Sequence, residues 1–166
     1  MTQFLRQIQG IDPSTIFYVD EMGIDTFVYR EYAYSKRGNK AIGFVSGKKY
    51  RRVGLVAAKS ASGIVSPLQY DGSMDSILFE HWFELCLIPA LPSNATIVLD
   101  NASFHRKSKL PFIAQMYGHR IIYLPPYSPE LNPIENFWAW LKGKLKKILY
   151  NYDDFDEALR CCFNII

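Results

Sequence analysis

The sequence predicts an α/β protein built on a mixed five-stranded sheet flanked by helices. Two observations carry this prediction. In the second half, short apolar runs rich in β-forming residues alternate with helical patterns, as parallel strands joined by crossover helices do. In the first half, strand patterns follow one another with only turns between them, as in an antiparallel meander.

The elements follow in order. Residues 1–14 are polar and mixed, and read as an arm or a short helix. Thr15–Asp20 (TIFYVD) is a buried-strand pattern ending in a carboxylate. Glu21–Asp25 contains Gly23 and reads as a turn, and Thr26–Ser35 alternates in part and reads as a second strand. Arg52–Ala58 reads as a third, with Ile64–Tyr70 a short extension after the Ser62–Gly63 turn. A helix is expected over Met74–Ile88, capped by Ser73, with Ile77, Leu78, Trp82, Leu85 and Ile88 at helical spacing and Pro89 and Pro92 ending it. Ala95–Asp100 (ATIVLD) is a second buried strand ending in aspartate. Lys107–Tyr117 is helix-like and stops at Gly118; His119–Leu124 is the last strand. A proline-rich loop then leads to a strong helix over Pro133–Leu149, with Asn132 suited to its cap. A further helix can start at Phe155. The order β-β-β-α-β-α-β-α is that of the ribonuclease-H-like fold. Residues 15–166 are then one domain preceded by an arm over 1–14.

Composition narrows the class. The hydrophobic fraction is 49% and the charged fraction 21%, ordinary for a globular chain. The net charge of +3 is too small to argue for a polyanion partner by itself. Cys86, Cys161 and Cys162 form neither a disulfide framework nor a zinc-ligand pattern, which suits a reducing compartment. No secretory leader and no apolar stretch of membrane-spanning length is evident, so a cytoplasmic location without membrane contact is expected.

The chemistry lies in carboxylates. Asp20 and Asp100 each end a buried strand, and ligands of α/β sheets sit beyond the carboxyl ends of parallel strands. If the two strands are parallel neighbours, the aspartates lie side by side and stay ionised together only around a cation. Hard oxygen donors select magnesium or manganese. A lone strand-terminal Asp is often only a turn former, and two in matching contexts weaken that explanation. Glu135, in the first turn of the helix after the proline loop, is the third candidate. It also completes a capping box with Asn132, which alone would explain it. Glu130, in the loop, is its rival.

The string YLPPYSPELNPIENFW over residues 123–138 closely resembles the signature of mariner-like transposases and their bacterial insertion-sequence relatives. Leu99–His105 (LDNASFH) and Tyr18–Gly23 (YVDEMG) resemble it too, and the likeness runs from about residue 15 to 150. The 34 residues between Asp100 and Glu135 match one spacing class of that superfamily. The resemblance implies that Asp20, Asp100 and Glu135 are catalytic and hold two divalent ions, Mg²⁺ or Mn²⁺, for DNA strand cleavage and strand transfer. It also implies transposon ends and target DNA as partners, a homodimer, and a nucleoid-associated setting in a prokaryote.

Asn101 and His105 have two readings each: support for a metal ligand or the scissile phosphate, or turn and helix-start roles. Lys36, Arg37, Lys40, Lys48, Lys49, Arg51 and Arg52 are seven of the chain's 19 basic residues. They are the expected phosphate contacts, against the plainer reading of a solvated surface. Lys142, Lys144, Lys146 and Lys147 fit DNA contact and the helix dipole equally. Phe137, Trp138, Leu141, Leu145 and Ile148 read as core packing. Mariner-like transposases carry an N-terminal helix-turn-helix region. Only 19 residues precede Asp20, so that region is expected on a separate chain, or this is a truncated copy. Two other readings stand beside transposase: a nuclease of the same fold that stops after hydrolysis, and a non-catalytic remnant that binds DNA or transposase.

Overall fold

The computed structural model describes residues 2–26, 34–40, 42 and 51–163. Among the described residues the sheet has five strands: β1 (Ile16–Asp25), β2 (Arg52–Ser60), β3 (Gly63–Asp71), β4 (Thr96–Leu99) and β5 (Arg120–Tyr123). Their order is β3-β2-β1-β4-β5. The first three strands are antiparallel, while β4 joins β1 and β5 joins β4 in parallel. The meander followed by parallel additions is the ribonuclease-H-like arrangement expected from the sequence.

Helices cover both faces. On one, α2 (Ser76–Trp82) runs through a π-helical turn (Phe83–Leu87) into α3 (Ile88–Ala90), and α4 (Leu110–Met116) lies beside it. Phe79, Trp82, Phe83, Leu87 and Leu110 pack there on Phe17, Val19, Ile97 and Leu99. On the other face lie α5 (Ile134–Ile148) and α6 (Phe155–Phe163). Ile134, Trp138, Leu141 and Leu145 recur at helical spacing and bury against Met22, Ile24, Val53 and Leu55. The alternation of β1 side chains between these two clusters is the period of two that a strand imposes. The N-terminal helix α1 (Thr2–Ile8) docks through Phe4 on Ile16, Val98, Ile122 and Leu124.

Several expectations are corrected. Glu21–Asp25 is not a turn, because β1 runs on to Asp25 and pairs rung by rung with β2. Gly23 is a strand residue here, lying beneath the Arg52 guanidinium. Ile64–Tyr70 is no short extension; it belongs to the full-length strand β3. The strand expected over Thr26–Ser35 falls mostly on 27–33, outside the described residues. Asp75, not Ser73, caps α2, its carboxylate accepting from the Ile77 and Leu78 amides. Pro89 does not end that helix; a wider π turn carries the chain past it to Ala90. Asn132 is not the side-chain cap of α5: Pro133 holds the cap position and no side chain bonds the helix start.

Candidate active site

The parallel pairing of β1 and β4 sets Tyr18 opposite Val98. Asp20 and Asp100 each follow two residues later, so the register carries both carboxylates to one level at the strands' carboxyl ends. Glu135 enters from the first turn of α5. All three line one cavity of about 450 Å³, together with Asn101, Ala102, Asn132 and the proline-loop residues Leu124 to Pro129. A second cavity of about 340 Å³ adjoins Asp20 and Asp100 and is lined by Glu21, Gly23, Arg52, Tyr70 and Phe104.

Asp20 faces α5, where its Oδ2 accepts a hydrogen bond from Trp138 Nε1 at 3.0 Å. Burial, with the negative charges of Glu21, Glu135 and Asp100 around it, pushes its carboxyl up to about 7. Such crowding marks a place short of positive charge. Glu21, the next residue, faces the opposite side of the sheet. There its carboxylate meets His105 Nε2 at 3.2 Å, while His105 Nδ1 lies 3.0 Å from Asp100 Oδ1. Burial alone would lower the imidazole, but its bonds to Asp100 and Glu21 outweigh that and lift it to about 9. His105 is therefore a buried imidazolium between two carboxylates. Burial pushes Glu21 up against the pull of His105. For Asp100, burial raises the carboxyl, yet the His105 bond and the Ala102 amide, 2.9 Å from Oδ1, bring it below its ordinary value.

The other expected residues divide. The Asn101 amide donates to the Leu124 carbonyl at 2.5 Å, and its oxygen accepts from Lys107 Nζ at 2.6 Å. It ties the loop after β4 to the start of the proline loop. Arg52 lines the second cavity. Arg51 turns away to Asp71 at 2.8 Å and Asp156 at 3.2 Å. Lys36, Arg37 and Lys40 are exposed, and Lys48 and Lys49 lie outside the described residues. Glu130 does not line the carboxylate cavity. The residues that sequence reasoning missed are Glu21, Asn132, Lys107 and the hydrogen-bonding role of Trp138. The signal for Glu21 was its place beside Asp20 on a strand, which sends it to the other face.

Among the described residues, no three His, Cys, Asp or Glu side chains are gathered closely enough to hold a metal ion as they stand. The donor set nonetheless fits a hard divalent cation in kind: carboxylate oxygens in one cavity, with excess negative charge around Asp20.

A ribonuclease-H-like sheet with carboxylates at the ends of its two central parallel strands defines the class of protein. More particularly, residues 15–158 match the model of the DDE superfamily endonuclease family, and the chain belongs to that family. A relative from Sinorhizobium fredii (strain NBRC 101917 / NGR234), the uncharacterized protein y4pE/y4sA, is 35% identical over 72 residues, covering 42% of this chain and 50% of that protein. Among solved structures, the Mos1 strand transfer complex aligns with a TM-score of 0.69 at 15% identity, over 96% of this chain and 53% of that one. The mariner Mos1 paired end complex with Mg aligns with a TM-score of 0.68 at 15% identity, over 96% and 54%. The chain thus spans about half the length of each of these three proteins. At these identities the structural matches establish the fold. Among the described residues, no helix is long and apolar enough to cross a membrane.

Proposed function

We propose that residues 15–166 form the catalytic domain of a DDE transposase, which cleaves DNA strands and joins the freed 3′ ends to target DNA. The observation that carries this reading is the meeting of Asp20, Asp100 and Glu135, from three distant segments, around one cavity. Family membership and the strand-transfer and paired-end complexes among the structural neighbours support it.

In this reading Asp20, Asp100 and Glu135 hold Mg²⁺ or Mn²⁺, two ions in all. Bound there, the cations would polarise the scissile phosphate and favour the attacking oxygen. The chain's own residues do the rest. His105 neutralises and fixes Asp100 from behind, and Trp138 fixes Asp20. Pro125 and Pro126 stiffen the cavity wall opposite the strand ends. Arg52, with Lys36, Arg37, Lys40, Lys48 and Lys49, supplies phosphate contacts that place the DNA without reading its sequence. The assembly is a homodimer on transposon-end and target DNA in the prokaryotic cytoplasm, at the nucleoid.

The test is cleavage and joining of labelled DNA with Mg²⁺ or Mn²⁺, comparing wild type with Asp100→Asn. Metal-dependent joined products, absent with the variant, are expected. Hydrolysis without joining would make the protein a nuclease of the same fold. Metal binding without turnover would make it a non-catalytic DNA-binding remnant.

A further inference from the structure

Gly23, Gly54 and Tyr70 stand side by side on one rung of β1, β2 and β3. Glycine inside a strand weakens it, and two in register mark a place that something approaches closely. Part of that room is taken. A Cβ on Gly23 would lie 2.5 Å from Arg52 Nε, and one on Gly54 would run into the Tyr70 ring. The guanidinium and the phenol thus lie over the bare rung, on the face of the sheet that Glu21 shares by the strand's period of two. Both side chains line the cavity of about 340 Å³ that also touches Asp20 and Asp100. Burial first, then the charge of Glu21, pushes the phenol up to about 12, while Arg52 opposes this, so the three head groups are neighbours. The Arg52 side chain is 65% exposed, and its pair with Asp25 is open at 4.0 Å, too long for a hydrogen bond. Its planar fork of donors matches a phosphate.

We infer that Arg52 and Tyr70 form a subsite for one DNA phosphodiester beside the reacting one: the guanidinium donates to its oxygens, the phenol adds a further O–H donor, and the bare glycine rung lets the strand come close. This rests on the proposed function above. The two cavities share Asp20, Asp100 and Ala102. A strand whose reacting phosphate lies at the two aspartates therefore carries its neighbouring phosphates to either side. One side leads to Glu135 and the proline loop; the other leads to Arg52 and Tyr70. The Glu21 carboxylate on that side is already matched by His105 at 3.2 Å, which leaves Arg52 to face the phosphate. A diffuse basic surface holds DNA by charge wherever it lies. This pair instead fixes one phosphate relative to the reacting one, so both are positioning residues that set where along the strand the chemistry falls.

The test uses the 166-residue chain, a labelled duplex with a free 3′-hydroxyl, and Ca²⁺, so that binding is read without turnover. Along the 3′-ended strand, one phosphodiester at a time is replaced by an uncharged methylphosphonate. Fluorescence anisotropy should show wild-type binding weakened roughly 10-fold by the replacement at one linkage. Arg52→Gln should bind the unmodified duplex about as weakly and no longer sense that linkage. Gly23→Ala keeps the charge but moves the guanidinium off its seat, and should behave the same way; Tyr70→Phe should lose roughly 3-fold. Arg52→Gln alters an exposed side chain, so it decides the matter even if Gly23→Ala fails to fold. Wild-type binding indifferent to every linkage would overturn the inference alone, provided joining still depends on Asp100. So would an Arg52→Gln variant that weakens evenly yet senses the same linkage as wild type, leaving Arg52 a diffuse surface charge. Position-specific loss without any joining would overturn the transposase reading and keep the subsite as part of a DNA-binding protein. A wild-type chain that neither joins DNA nor discriminates among the linkages would overturn both.

Discussion

Trp138 donates its indole N–H to Asp20 across the junction between α5 and β1, at 3.0 Å. Trp138 stands one helical turn beyond Glu135, so this bond sets the helix bearing one carboxylate against the strand bearing another. Trp138→Phe keeps an aromatic ring in the core and removes the donor. We expect stability to fall by about 2–4 kcal/mol from the missing bond and volume. Turnover should fall roughly 10-fold or more, because Asp20 is no longer held. Urea denaturation and cleavage kinetics check this; full activity would show that the bond serves only packing.

Asp20 couples the stability of the metal-free protein to pH. Its carboxyl is raised from 3.8 to about 7 in the folded state. A raised group adds stability that is fully present below its unfolded value and is lost as pH rises through the folded one. In chelator, Asp20 should therefore cost wild type stability between pH 4 and 7, at up to about 1.4 kcal/mol per unit, and the raised His105 extends the loss from about pH 6.5 up to about 9. Asp20→Asn should flatten this slope and be the more stable protein at pH 8. Mg²⁺ should raise the melting temperature of wild type at pH 8 but not that of the variant. A flat wild-type profile would remove the basis of this prediction.

His105→Ala leaves Glu21 buried without its positive partner and frees Asp100. A cost of about 3–5 kcal/mol is expected. Adding Glu21→Gln should recover part of it, since the stranded charge is then gone. Chemical denaturation of the single and double variants decides; equal destabilisation in both would mean the imidazole acts by volume alone.

How much of this was legible in sequence depends on the range of the interaction. The Asp20 and Asp100 strands were readable because each is a continuous apolar run, which parallel strands buried on both faces require. The extent of β1 was not. Gly23 looked like a turn, whereas the tertiary environment uses its missing side chain to seat Arg52. Asn132 and Glu135 had capping-box spacing, but Pro133 took the cap position. Trp138 was correctly read as core, and its polar edge was invisible because the partner, Asp20, is 118 residues away. The His105 bridge joins Glu21 to Asp100 across the sheet, a pairing that no local pattern encodes.

The basic residues divide into testable groups. Replacing Lys48, Lys49, Arg51 and Arg52 with alanine should weaken DNA binding and reduce its salt slope by roughly 0.9 for each phosphate that is no longer neutralised. Arg51→Ala alone should change the slope little, because its guanidinium is engaged by Asp71 and Asp156. Fluorescence anisotropy at several salt concentrations measures both. An unchanged slope in the quadruple variant would remove these residues from the DNA-binding surface.

The rung that pairs Asp25 with Arg52 has an evolutionary consequence. The antiparallel pairing of β1 with β2 runs up to that rung, so the register that presents Asp20 is set by the two strands themselves, whatever the length of chain that joins them. Loop-closure entropy penalises such change gently, about 0.6 kcal/mol for each doubling of length. A change of length between the two strands can thus be taken up while the register at Asp20 stays fixed. Drift should show first there, with the strands on either side holding their length.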